Sequence, residues 1–306
     1  MTRHKPVARP HSLAALGEDG LLRLLTRRWR HGSTVRTGVG DDCAVLEGRR
    51  KDDFLLFKTD SVVEGVHFSP ETPLRLVGRK ALARALSDVA AMGGRPLYAL
   101  IALALPPTSA PAAVQEIYRG IERLARKFSV ELVGGELCRS RQLVLTVALL
   151  GETAGHAPLL RSGARPGDGL YVTGSLGGSL ESGRHLRFVP RLPEGRWLAQ
   201  GHWATSLMDI SDGLASDLPR LARSSRIEFS LQESHFPRHR GCSQSQAFRD
   251  GEDYELLFTV APEREAALRK EWPFPTRLTR IGVCLRPSAL SRKQSFPHGF
   301  DHFHLS

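Results

Sequence analysis

The sequence predicts a layered fold of mixed helix and sheet, α/β or α+β, and three observations support this. The chain has 306 residues, of which 41% are hydrophobic, so it can build one large domain or two ordinary ones. Short apolar runs typical of buried strands alternate with long segments whose apolar residues recur at helical spacing. In the first half, predicted strands follow predicted helices, which is the order found in layered domains.

The first half is predicted to alternate helices with strands. Four leucines between positions 21 and 25 form a stripe at helical spacing, which favours an amphipathic helix near the N-terminus. Gly93 and Gly94 are typical of a helix end, and Pro106 stops the strand before it. The predicted order is a helix over 16–29, a strand over 53–60, a helix over 73–93, a strand over 97–105, a helix over 110–129 and strands over 130–136 and 142–152.

The second half is predicted to mix strands and helices again. The predicted order is a loop and strand over 161–174, a strand or loop running into a helix over 206–225, an acidic loop and strand over 251–260 and a strand over 276–284. We expect two domains, residues 1–155 and 156–306.

The basic composition favours polyanionic partners. Lys and Arg number 43 against 32 Asp and Glu, which gives a formal net charge of +11. Nucleic acid, phosphate-bearing metabolites and anionic membrane surfaces all fit that balance. However, the sequence has no helix-turn-helix, zinc-finger or RNA-recognition signature. Nucleic-acid binding therefore rests on net charge alone, and we expect no nucleic-acid partner.

The sequence shows no export or membrane signal. The first ten residues lack the apolar stretch of a signal peptide. The longest apolar run, over 97–105, is far shorter than a membrane span. None of the four cysteines forms a C-x-x-C pair, so neither a zinc site nor a disulfide framework is supported. We expect a cytoplasmic protein with no membrane partner.

Carboxylates at the ends of apolar segments are the main candidates for chemistry. P-loop, protein-kinase, H-E-x-x-H and G-x-S-x-G motifs are all absent. The carboxylates stand beside glycine, serine or a strand end, where buried acids must be paired or bind metal. Oxygen donors without histidine or cysteine companions suit Mg²⁺. The residues concerned are Asp41, Asp42, Asp60, Asp88, Glu136, Asp209 and Asp212.

Each candidate also has a simpler structural interpretation. A single Ser-Asp pair before an apolar helix is commonly a helix N-cap. His67 and His185 are ordinary core or surface histidines by default, and Arg161 is an ordinary loop arginine. Asp217 is expected to be a solvated helix residue. The number of glycine-flanked acids favours a shared site over isolated caps.

Seven stretches, in order along the chain, carry a family resemblance. They are "GVGDDCAVL", "KTDSVVEGVHF", "KALARALSDVAAMGGRP", "LVGGE", "RSGARPGDGLYVTG", "MDISDGLASDL" and "GEDYELLFTV". As an ordered set they resemble the motifs of the thiamine-monophosphate kinase family, within the superfamily of aminoimidazole ribonucleotide synthetase. The resemblance covers nearly the whole chain.

The resemblance implies an α+β protein of two α/β domains. Residues 1–155 would bind ATP and metal and form the dimer, with an N-terminal sheet that builds a barrel with its partner. Residues 156–306 would complete the active site. The implied reaction moves the γ-phosphate of ATP to thiamine monophosphate, giving thiamine diphosphate and ADP, with several Mg²⁺ ions. The expected partners are these two substrates and a second copy of the chain.

The resemblance also assigns residues by motif position. Metal ligands would be Asp42, Thr59, Asp60, Asp88, Glu136, Asp209 and Asp212. ATP contacts would come from Tyr118, Gly135, Arg161 and Ser211, and substrate contacts from His67, Glu252 and Phe300. No residue is expected to act as a general base, because positioning and metal ions carry the transfer.

Three departures from the family pattern bear on the site. Leu137 and Cys138 stand where the family has small hydroxyl residues that would face phosphate or metal. The chain has "GGEL" at 134–137 where the family usually has "GGDT", so Glu136 reaches further by one methylene. Lys58 stands where the family often has Ser or Thr, and it would meet phosphate if its side chain pointed inward. Two other functions stay open from the sequence. They are an ATP-using superfamily member with a different phosphate acceptor, and a non-catalytic protein that binds ATP or thiamine phosphate.

Overall fold

The computed structural model describes residues 12–50 and 52–287. Its helices are α1 (Leu13–Thr26), α2 (Leu74–Ala91), α3 (Pro111–Phe128), α4 (Leu192–Gln200), α5 (Leu214–Ser225), α6 (Gln244–Arg249) and α7 (Glu265–Glu271). Its strands are β1 (Val35–Thr37), β2 (Ala44–Glu47), β3 (Phe54–Val63), β4 (Arg95–Leu105), β5 (Glu131–Arg139), β6 (Val144–Glu152), β7 (Gly169–Thr173), β8 (Ser206–Asp209), β9 (Glu228–Leu231), β10 (Leu256–Val260) and β11 (Leu278–Leu285).

The first sheet has six strands in the order β1-β2-β3-β6-β4-β5. Its strand pairs are antiparallel except β4–β5, which is parallel. Helix α3 lies between these two strands in the chain, as a parallel connection requires. The helices α2 and α3 cross almost backbone to backbone, because a Cβ at Gly120 would lie 1.9 Å from the carbonyl oxygen of Arg75. Only glycine fits at that crossing.

One face of the first sheet carries large apolar side chains that are exposed. Phe57 and Tyr98 both pair with Leu150, so the three side chains point to one face. Leu100 lies on the same face two residues along β4. Phe57 is 52% exposed and Leu100 is 46% exposed. A row of large apolar side chains in this state is typical of a surface that another protein covers.

The second sheet has five strands in the order β8-β10-β7-β11-β9, all antiparallel. Both faces are buried along its centre, since every residue of β7, β8 and β10 is buried. Phe258 packs into a core that also contains Leu86 of α2, whereas its neighbour Leu257 packs into a separate core with Leu218 of α5. The larger core therefore joins residues from both halves of the sequence.

The predicted helices and strands are all present, with differences at two places. The apolar stretch after Asp42, which is absent from the predicted order, is the strand β2. Helix α1 is interrupted at Gly17, whose φ is 66°, and its leucine stripe is largely solvent-exposed instead of buried. The short elements β1, β9, α4, α6 and α7 were not predicted, because their apolar runs are too short to show a period. No helix in the described part of the chain combines the length and apolarity needed to cross a membrane.

Candidate active site

A cleft of about 630 Å³ lies between the two sheets and is lined by acidic side chains. Five of them lie in strands, in a helix or in the loops beside these elements. Asp42 precedes β2, Asp60 lies within β3 and Asp88 lies near the end of α2. Asp209 ends β8 and Asp212 follows it in the loop before α5. The sequence thus brings acids that are up to 170 residues apart (from 42 to 212) to one place.

Three of these acids form a compact cluster. One carboxylate oxygen from each of Asp42, Asp88 and Asp209 lies within 4.8 Å of the others. All three are buried, and Asp42 Oδ2 has no hydrogen-bond partner. Burial and the charge of Asp42 raise the pKa of Asp209 to about 7, and burial also raises the pKa of Asp88. A buried set of hard oxygen ligands with one unpartnered atom fits a divalent cation such as Mg²⁺.

The loop that carries Asp42 is held by its neighbour. Asp41 accepts hydrogen bonds from the backbone N–H groups of Asp42, at 3.1 Å, and of Arg161, at 3.1 Å. Gly40 precedes them with a φ of 122°, which a side chain would strain. Cys43 and Val45 are buried on the other side of Asp42. Asp41 therefore fixes the position of the loop, while Asp42 faces the cluster.

Four acids of the cleft have a basic partner, whereas Asp209 accepts a hydrogen bond from the hydroxyl of Ser87 at 2.6 Å. Lys58 Nζ lies 2.9 Å from Asp88 Oδ1, and Arg84 Nε lies 3.0 Å from Asp60 Oδ2. Arg161 pairs with Asp42, and Arg220 pairs with Asp212. These guanidinium and ammonium groups lie where the oxygens of a bound phosphate could meet them.

Asp217 is buried rather than solvated, so the sequence-based expectation was wrong. Its Oδ2 accepts hydrogen bonds from the backbone N–H groups of Ser211 and Asp212, both at 3.0 Å. Its Oδ1 lies 2.9 Å from Arg220 Nη1. The first turn of α5 thus folds back to fix the loop that presents Asp212 to the cleft. The sequence contains the pair Ser-Asp twice, at 211–212 and at 216–217. This repetition could have indicated that Asp217 supports the loop that carries Asp212.

A second charged group lies beside the cleft and was not predicted. Lys80 Nζ is fully buried and donates to the carbonyl oxygen of His67 at 2.7 Å and to Glu252. His185 Nδ1 lies 2.8 Å from the same ammonium. Arg84 Nη1 lies 3.8 Å from Glu252 Oε1 and so links this group to Asp60. His185, by default an ordinary histidine, belongs to this network.

The backbone around Glu252 is strained. Glu252 and Tyr254 have φ values of 63° and 52°, in the left-handed region that favours glycine. Ion pairs from Lys80 and Arg84 hold the first of them in this conformation. A signal for these cations was available in α2, because Lys80, Arg84 and Asp88 recur every fourth residue and so share one face of the helix.

The predicted site residues fall into four groups. Glu252 and His67 meet at Lys80, and Phe300 lies outside the described residues. Gly135 and Glu136 lie on β5, and Tyr118 lies on α3. Within the part of the chain that the structure describes, these three do not line the cleft. The residues that do line it are Asp42, Thr59, Asp60, Asp88, Arg161, Asp209, Ser211 and Asp212.

The position of β5 explains the separation of Glu136 from the other acids. Strand β5 is the outer strand of the first sheet and is three strands away from β3. At about 4.8 Å per strand, Glu136 is on the order of 14 Å from the row of β3 that carries Ser61. Thr59 lines the cleft, but its side chain does not point the same way as those of its neighbours. Strand alternation turns it to the face of β3 opposite Lys58 and Asp60.

Comparisons with known proteins agree with this arrangement. The family model "AIR synthase related protein, N-terminal domain" matches residues 40–153. Thiamine-monophosphate kinase of Rhodopirellula baltica is 38% identical, over 93% of this chain and 97% of that protein. The chain belongs to the thiamine-monophosphate kinase family. The family's enzyme from Bacillus subtilis is 34% identical, over 84% of this chain and 87% of its own length.

A solved structure of the family also superimposes closely. AaThiL complexed with AMPPCP and TMP gives a TM-score of 0.83 at 31% identity, covering 96% of this chain and all of that one. The likeness therefore includes both sheets and the cleft between them. The family-model match includes Asp42, Lys58, Asp88 and Glu136, whereas Arg161 and Asp209 lie beyond it. The cleft therefore combines residues of the matched segment with residues from the rest of the chain.

Proposed function

We propose that this chain is an ATP-dependent thiamine-monophosphate kinase. It transfers the γ-phosphate of ATP to the phosphate of thiamine monophosphate and releases thiamine diphosphate and ADP. The observation that carries the proposal is the buried carboxylate cluster, which pairs with Lys58 and Arg161 and lies in one cleft with the Arg84–Asp60 pair, in a chain of this family. The similar structure of AaThiL with AMPPCP, an ATP analogue, and TMP supports the same pair of substrates.

The site residues fit a requirement for Mg²⁺. Asp42, Asp88 and Asp209 would hold the ion, with Asp60 and Asp212 beside them in the cleft. Bound Mg²⁺ would neutralise phosphate oxygens and hold them in place. The chain's own cations address the remaining problem, the repulsion between two anionic substrates. Arg161 and Arg84 offer charge-assisted hydrogen bonds that orient the phosphates for in-line transfer.

The acceptor needs no general base. The attacking atom is a phosphate oxygen that already carries negative charge, so phosphoryl transfer depends on alignment and charge neutralisation. Glu252 lies 3.8 Å from Arg84 and shares Lys80 with the carbonyl oxygen of His67. By motif position, Glu252 and His67 would contact the remainder of thiamine monophosphate. Burial alone would raise the pKa of Glu252, but the hydrogen bond from His185 and the charges of Lys80 and Arg84 lower it to about 2. Glu252 is therefore ionised, and its charge is balanced by Lys80 and Arg84 within the protein.

We also propose that two copies pair through the exposed face of the first sheet. Phe57, Tyr98 and Leu100 form an apolar face that nothing covers in the described chain. The same pairing would bring Glu136, Gly135 and Tyr118 to the cleft of a second copy, which accounts for their distance from the cleft in one chain. Residues 1–155 would then be the dimerising domain, and a cytoplasmic location remains a prediction.

Leu100→Glu is expected to convert the dimer into a monomer. The substitution places a charge in the centre of the proposed apolar contact, where it would lose its water on pairing. Size-exclusion chromatography with light scattering measures the mass directly. Leu180→Glu is the matched control, since Leu180 is 58% exposed in the second half of the chain and should leave the mass unchanged. If the Leu100→Glu variant is still a dimer, this face is not the interface.

Purified protein with ATP, Mg²⁺ and thiamine monophosphate is expected to form thiamine diphosphate, and EDTA should stop the reaction. Chromatographic separation of the thiamine phosphates measures the product. Free thiamine serves as the competing acceptor and should give no product, because it lacks the anionic oxygen. Firm ATP binding without product under any divalent ion would instead favour a non-catalytic nucleotide-binding protein. Product from a different phosphate acceptor alone would favour another ATP-using member of the superfamily.

A further inference from the structure

Lys58 occupies an unusual place for a lysine. It lies in the middle of β3, and strand alternation puts its side chain on the same face as Asp60. Its Nζ lies 2.9 Å from Asp88 Oδ1, and its side chain is only 25% exposed. A lysine on a sheet normally extends its ammonium group into water. Here the ammonium instead points into a cluster of carboxylates.

The ammonium of Lys58 forms an ion pair with a carboxylate that is nearly buried. The side chain of Asp88 is only 9% exposed, and a lysine at neutral pH carries a positive charge. Lys58 is therefore a cation that is covalently part of the chain and present whether or not metal is bound. It engages one oxygen of Asp88 and leaves the other oxygen to a further ligand.

The charge balance of the cluster gives Lys58 a role. Asp42, Asp88 and Asp209 carry three negative charges when ionised. One divalent ion, the Lys58 ammonium and the Arg161 guanidinium, which pairs with Asp42, together exceed these three charges by one positive charge, which the oxygens of a bound phosphate would balance. Without Lys58, one oxygen of Asp88 would lack a cation, and the bridging position between Asp88 and the cleft would be open to a second divalent ion. Carboxylates commonly bridge two metal ions in sites that transfer phosphoryl groups.

We propose that Lys58 permanently fills one cation position at Asp88, so that this chain binds one divalent ion fewer than the same cluster would without the ammonium. The inference rests on the proposed metal-assisted kinase function. It adds a positioning role for Lys58, which holds Asp88 in place without a second ion.

Manganese binding tests the proposal independently of turnover. Mn²⁺ is titrated into the full chain in the presence of a non-hydrolysable ATP analogue and thiamine monophosphate. The electron paramagnetic resonance signal of free Mn²⁺ gives the number of bound ions. The unmodified chain, Lys58→Thr, Lys58→Met and Lys58→Arg are compared. Lys270→Thr is the matched control, because it removes an equal charge from an exposed position on α7.

One additional Mn²⁺ per chain is expected in Lys58→Thr and Lys58→Met. Lys58→Arg and Lys270→Thr should bind the same number as the unmodified chain. Lys58→Met retains most of the length of the side chain and so keeps the comparison possible if the threonine variant folds poorly. An equal number of ions in all the chains would overturn the role of Lys58 while leaving the kinase function intact. An unmodified chain that forms product yet binds no Mn²⁺ would also overturn it.

Discussion

Asp42→Asn is expected to lower turnover at least about 100-fold while leaving the fold intact. Loss of a group that merely orients a metal ligand costs about 10- to 100-fold, so loss of a ligand should cost at least as much. The introduced asparagine would keep the size of the aspartate side chain but not its charge. The cluster would then have two carboxylates for a divalent cation instead of three. Turnover with saturating ATP and thiamine monophosphate, measured over a range of Mg²⁺ concentrations, gives the effect.

Two controls make the result specific to the cluster. Asp52→Asn changes an exposed acid in the hairpin between β2 and β3, where asparagine tolerates the positive φ of 67°, and should leave turnover unchanged. A thermal melt within a few degrees of the unmodified protein would show that packing is retained. Retention of most of the activity in Asp42→Asn would exclude Asp42 as a metal ligand. Partial recovery at high Mg²⁺ would show that affinity, more than geometry, was lost.

The acids of the cleft could be predicted from the sequence, whereas their basic partners could not. Each acid stands at the end of an apolar run and beside glycine or serine, a pattern visible within a few residues. Lys58, Arg84 and Arg220 reach those acids only through tertiary packing, and Lys58–Asp88 joins residues 30 positions apart. Long side chains carry too many rotamers for their endpoint to follow from local pattern. The sequence therefore does not predict that the side chain of Lys58 points inward.

For β5, the outer strand of the first sheet, the sequence predicted the element but not its position in the sheet. Its strand character was predicted from "LVGGE", but its place at the sheet edge depends on the parallel β4–β5 pairing through α3. That pairing separates Glu136 from Asp60 within one chain. Motif order along the chain carries no information about which copy of a dimer supplies a residue. The dimer and the shared site therefore remain proposals, although most of the helices and strands could be placed.

Lys80→Met is expected to destabilise the folded protein by about 3–5 kcal/mol, the usual cost of removing one partner from a buried ion pair. Lys80 is fully buried and its ammonium contacts Glu252, His185 and the carbonyl oxygen of His67. Methionine fills a similar volume but satisfies none of these groups. Urea unfolding followed by circular dichroism gives the free energy of unfolding. Lys127→Met, on the exposed face of α3, should change it by no more than about 0.5 kcal/mol.

Two further measurements distinguish the lost ion pair from a packing defect. The pKa of Glu252 is about 2 in the folded protein against an ordinary value of 4.5. Its contribution to stability is therefore fully present above pH 4.5 and is lost as the pH falls through about 2. Removal of the Lys80 charge raises the pKa of Glu252, so the acid loss of stability in Lys80→Met should begin at a higher pH. The double variant Lys80→Met with Glu252→Gln should recover part of the lost free energy, because no uncompensated charge remains. Destabilisation without either effect would mean that Lys80 contributes through packing alone.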